Sequence, residues 1–98
     1  MAKNAVADLK SIGFKNLLDD PKLKSLVANR PIMAPKGAIL VYETTPGAKA
    51  SNAGHVEIKT EDSGKGGYIS VSESQRPTYG YAIPAQRRLI GVMYRSDL

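Results

Sequence analysis

The chain has 98 residues, no cysteine, no tryptophan and a formal charge of +5 at neutral pH. That length makes one domain, residues 1–98, with a modest core, and an apolar content of 42% belongs to a globular rather than a disordered chain. The missing cysteines exclude a disulfide framework and a thiolate metal site, one histidine cannot build a standard zinc site, and no apolar run is long enough to span a membrane.

Taken in order, residues 4–12 read as a short helix, with Ala5, Val6, Leu9 and Ile12 on one stripe. Asn4 is the expected cap and Gly13 the expected left-handed stop, followed by Phe14 to pack back on the last turn. Asp20-Pro21 starts a second helix, with aspartate as cap and proline in the first turn, running to about residue 28 and burying Leu23, Leu26 and Val27. Asn29 and Pro31 stop it.

The composition then changes. Ala34-Pro35-Lys36-Gly37 is a turn, and residues 38–42 (Ala-Ile-Leu-Val-Tyr) are apolar on both faces, as in a central strand. After a small-residue loop over 44–53 comes the run Gly54-His55-Val56-Glu57-Ile58-Lys59-Thr60. Its period of two predicts a half-buried strand with Val56 and Ile58 on the core and His55, Glu57 and Lys59 on the polar side. An imidazole beside a carboxylate on a rigid strand is a candidate base with an orienting partner; the alternative is a merely solvated histidine. Residues 67–72 alternate likewise, placing Ser70 and Ser72 on the polar side. Residues 73–87 read as a long connection, with Tyr79 and Tyr81 either a stacking wall or loop packing, and residues 88–95 as the last strand. Helices followed by strands predict an α+β domain with an antiparallel meander of about four strands and the helices on one face.

The charge is dispersed, and Arg87-Arg88 is the only adjacent basic pair. It suits an anionic partner weakly, whether nucleic acid, an acidic membrane surface or a cell-wall polymer. A nucleic-acid-binding β-rich module would interleave aromatic residues with the cations, and Tyr68 is the one candidate near the histidine strand, which argues against nucleic acid. There is no Gly-rich phosphate loop and no GxSxG elbow. The amino terminus lacks the apolar core of a secretory signal.

The run from Ala34-Pro35-Lys36-Gly37 through the Ile-Leu-Val-Tyr strand and the polar loop to Gly54-His55-Val56-Glu57-Ile58 resembles the centre of the NlpC/P60 and CHAP cysteine peptidases, which cut peptidoglycan peptides. Those families have a Pro-x-Gly-Asp-hydrophobic strand, a variable loop and a Gly-His-Val/Ile strand. The opening segment, from Ala2 to Phe14, is similar to the stretch after their nucleophile helix, and the closing Arg-Leu-Ile-Gly-Val-Met-Tyr-Arg to their last strand. The resemblance implies a papain-like NlpC/P60-type core, His55 as general base, and a third polar residue for which Glu57 and Ser70 both qualify; no cofactor or metal is implied. It implies peptidoglycan peptide as partner and a periplasmic, extracellular or phage-encoded setting. Two departures stand out: Ala38 replaces the family aspartate, and the nucleophilic cysteine, which the resemblance places ahead of residue 1, is absent. The chain alone is therefore expected to be inactive. It reads as the C-terminal portion of such a domain, or as a non-catalytic wall- or protein-binding module of the same fold. Without the nucleophile helix, Ile39, Val41 and Ile90 are expected to lie uncovered, which predicts either a homo-oligomer or a domain only marginally stable alone.

Overall fold

A computed structural model describes residues 2–28, 30–44, 55–62, 68–72, 77–80 and 87–96. Two α-helices, α1 (Ala2–Ser11) and α2 (Pro21–Val27), precede an antiparallel sheet. Four longer strands make up most of it: β2 (Ile39–Thr44), β3 (His55–Asp62), β4 (Tyr68–Ser72) and β6 (Arg87–Tyr94). Two short strands, β1 (Lys15–Asn16) and β5 (Pro77–Gly80), form the edges. The order across the sheet is β1-β6-β2-β3-β4-β5. The sheet is thus a meander only from β2 to β5; β6 returns to pair with β2, and the expected simple meander is corrected.

Local chemistry sets the helix ends. At the end of α1, Gly13 has φ +99°, its N–H donates to Lys10 O at 3.1 Å and the Phe14 N–H to Leu9 O at 3.0 Å. This is a Schellman closure, and Phe14 and Leu9 join the same apolar cluster, as such closures favour. The start differs from expectation: α1 begins at Ala2, so Asn4 lies inside the helix rather than capping it. The cap of α2 is as expected, with Asp20 Oδ1 accepting from the Lys22 N–H at 2.9 Å and Pro21 in the first turn. Two 3-10 turns, η1 (Leu17–Asp19) and η2 (Pro31–Met33), flank α2.

Helices cover both faces of the sheet, not one. On one face α2 and η2 lie over Ala38, Leu40, Tyr42, Leu89 and Val92 through Val27 and Ala34. On the other, α1 packs Ala5, Val6 and Leu9 against Val41 and Met93, with Ile39 and Ile90 partly buried beside them. The physical reason is that β2 and β6 are apolar on both sides and each side needs a cover. Ile39, Val41 and Ile90 are therefore packed beneath α1, which corrects the expectation that they lie bare.

Three further expectations are overturned. Leu23 and Leu26 of α2 face solvent, and only Val27 of that helix is buried. The connection over 73–87 contains the strand β5, and Pro77 is tolerated because it opens an edge strand. Tyr79 lies on that strand, while Tyr81 falls outside the described residues, as does most of the loop over 44–53. The third is the orientation of β3. Val56 and Ile58 are 38% and 45% exposed, while Glu57 and Lys59 are buried. The period of two is real, but the polar side is the covered one.

Asn16 ties the first edge down. Its side chain is buried, Nδ2 donates to Ile90 O, and Oδ1 accepts from the N–H groups of Leu18 and Val92, all at 3.1 Å. One amide thus caps η1 and bonds to β6.

Candidate functional site

The register of β3 decides what surrounds the histidine. Tyr42 pairs with His55, Leu40 with Glu57 and Ile39 with Ile58. Directly opposed residues share a face, so His55 and Glu57 lie on the side of the sheet covered by α2 and η2. Val56 and Ile58 lie on the α1 side, beyond the reach of that helix.

His55 Nε2 is 3.3 Å from Glu57 Oε1. The imidazole keeps 26% of its side-chain surface, whereas the carboxylate is almost wholly enclosed. The Tyr42 ring lies 6.0 Å from the imidazole, centroid to centroid, tilted by 37°. Tyr42 is buried and packs one side of His55. An imidazole that carries its proton on Nε2, the nitrogen beside the carboxylate, has its lone pair on Nδ1. In that tautomer Nδ1 is the position open to a proton, and Glu57 lies beside the opposite nitrogen.

Lys59, the next polar residue on this face, has a different task. It is 2% exposed, and its Nζ donates to Ile32 O at 2.5 Å and Ala34 O at 2.6 Å. Backbone bonds fix it there: the Lys59 N–H donates to Ala38 O at 2.9 Å and the Gly37 N–H to Lys59 O at 2.8 Å. The ammonium thus pins η2 and the residue after it over the polar side of β3, the side on which Glu57 is also buried. Buried charge is tolerated because it is hydrogen-bonded.

The sequence places His55 and Glu57 together, and so does the structure. Ser70 and Ser72 are on the adjacent strand; the register sets Ser72 opposite Glu57 and Ser70 opposite Lys59. Two contributors are not evident from the local pattern. Tyr42 reads only as a core residue, and its cross-strand pairing is the signal that would have found it. Lys59 reads as a solvated charge, and nothing in its own neighbourhood announces carbonyls from residues 25 and 27 positions earlier.

At the same end of the sheet, Arg88 of β6 forms an ion pair with Glu43 of β2 through Nε and Nη2. Among the described residues no group of three or more His, Asp or Glu side chains is placed to hold a metal ion, and no helix is long and apolar enough to cross a membrane. A separate groove of about 550 Å³ runs between the end of α1, β1 and η1, lined by Phe14, Leu17 and Leu23 with Lys10 and Lys15 at its rim; its lining includes no residue of the histidine pair.

Comparisons with protein-family models, curated proteins and solved structures find no match to this chain.

Proposed function

We propose that His55 and Glu57 are the base half of a cysteine-peptidase-type centre acting on peptidoglycan peptides. The observation that carries this is the 3.3 Å contact between His55 Nε2 and Glu57 Oε1 on a partly open strand position. It fits the order of motifs from Ala34 to Thr60, in which His55 takes the place of the family base. In this chemistry His55 Nδ1 removes the proton of a thiol, and the thiolate attacks the amide carbonyl. The imidazolium then protonates the departing amine, and water releases the acyl group from sulfur. Glu57 fits the orienting role better than Ser70, because its carboxylate already touches the ring. The chain has no cysteine, so the thiol must come from another polypeptide segment.

The same absence favours a second reading, a module of this fold that binds wall peptide without cutting it. Two measurements test the pair of readings. The single histidine gives one set of imidazole NMR signals, and titration with a muropeptide should shift them saturably together with the Glu57 amide. Unmoved signals at millimolar peptide would overturn both readings. The purified chain should release no soluble muropeptides from sacculi. Turnover lost in His55→Ala would mean that the nucleophile is not a thiol. Coding DNA upstream of the Met1 codon separates the two: an in-frame cysteine ahead of an amphipathic helix supports catalysis, and its absence supports binding alone.

A further inference from the structure

The cations are dispersed along the chain, but the excess of cations over anions falls mainly in one segment. From Pro21 to Tyr42 there are four cations, Lys22, Lys24, Arg30 and Lys36, and no acid, while the rest of the chain is almost balanced, with ten cations against nine anions. All four are exposed. They lie on α2, beside η2 and in the turn that follows, the layer that covers one face of the sheet. The same layer holds bulky apolar side chains in water: Leu23 is 36% exposed, and Leu26 and Met33 are each 51% exposed. Leu23 and Leu26 are three residues apart, hence neighbours on the surface of α2. The acids just ahead of the helix are engaged, Asp19 with Lys10 at 2.8 Å and Asp20 with the Lys22 N–H.

We infer that the outer surface of α2 and η2 docks on an anionic lipid surface. Exposed lysine and arginine are drawn to acidic headgroups over a Debye length, and exposed leucine and methionine on the same layer enter the headgroup–acyl boundary, where their apolar area leaves water. A polyanion in solution rewards the cations but not the leucines. A nucleic acid would call for stacking side chains, and residues 21–41 contain no aromatic residue. The combination of both features on one layer selects the lipid surface. It is independent of the histidine pair, which belongs to β3.

Vesicle co-sedimentation tests this with the intact chain. The chain should pellet with phosphatidylcholine vesicles containing about one-third phosphatidylglycerol and stay in solution with phosphatidylcholine alone. Lys22→Gln with Lys24→Gln should lower partitioning about 25-fold, roughly fivefold for each charge. Leu26→Ser with Met33→Ser should lower it severalfold, while Lys15→Gln, outside the segment, should change it less than twofold. All five side chains are exposed, so unchanged thermal melts confirm that folding is intact. No pelleting with acidic vesicles, or equal losses from Lys15→Gln and from either lysine of α2, would overturn the inference. So would duplex DNA that competes fully with the vesicles while its own binding ignores Leu26→Ser and Met33→Ser. That result would mark the surface as a polyanion site.

Discussion

The sharpest test of how the domain is held together is at Gly91, where α1 crosses β6. A Cβ built at this position lies 3.0 Å from Val6 Cγ2, 3.2 Å from Val41 Cβ and 3.3 Å from Met93 Sδ. Carbon atoms in ordinary contact are about 3.5–4.0 Å apart, so Gly91→Ala is too close to three neighbours at once. The Val6 methyl and the Met93 thioether can turn aside. Val41 Cβ cannot, because it is fixed to the backbone of the central strand. A shift of α1 relieves the shortest contact, with Val6, while the one with Val41 Cβ is relieved only if β2 and β6 ease apart. Overpacking of this kind costs about 1–3 kcal/mol, and the loss of backbone freedom in the unfolded chain returns about 0.5–1 kcal/mol. The expected net loss is about 1 kcal/mol, or a melting temperature lower by about 4–8 °C for a domain of this size. Thermal and urea unfolding of Gly91→Ala, Val6→Ala and the double variant form a cycle. Val6→Ala alone also destabilises, but it vacates the nearest clash, so the double variant should be more stable than the sum of the singles predicts, by about 1 kcal/mol. A Gly91→Ala chain as stable as the parent, or strict additivity with Val6→Ala, would refute the close approach of α1 to the sheet.

Two other substitutions probe the polar interior. Lys59→Met keeps the stem but strips charge-assisted donors from Ile32 O and Ala34 O, and a loss of about 2–4 kcal/mol is expected; hydrogen exchange should show the Met33 and Ala34 amides losing protection ahead of those of β6, and unchanged exchange at η2 would count against the pin. Asn16→Ala removes three hydrogen bonds at once and should cost about 2–4 kcal/mol in urea unfolding, whereas a value below about 0.5 kcal/mol would show that the edge strand does not depend on this amide.

The sequence by itself determined the features that are settled within a few residues. Asp20-Pro21 starts α2 because a carboxylate and a ring meet the needs of the first helical turn, and Gly13 ends α1 because the chain there needs φ of +99°. The α+β class follows from the order of the periods, and the central place of β2 from its apolar residues on both sides. The nearness of His55 and Glu57 follows from their spacing of two on one strand. Which way that strand faces was decided only by the tertiary structure. A period of two separates two sets of side chains but does not say which set is covered, and the apolar set is the natural guess. The Lys59 ammonium bonds the carbonyls of Ile32 and Ala34, in and just after η2, which turns the polar set of β3 to the covered side, where Glu57 is buried as well. The burial of Leu23 and Leu26 failed for a related reason: Val27 alone fills the contact between α2 and the sheet, so the other leucines of the helix remain in water. The edge strand β1 was likewise beyond local reading, since its two residues are held by partners 74 and 76 positions away from Asn16. Such contacts exist only once the chain has folded back on itself, because hydrogen bonds between distant segments leave no period in the sequence.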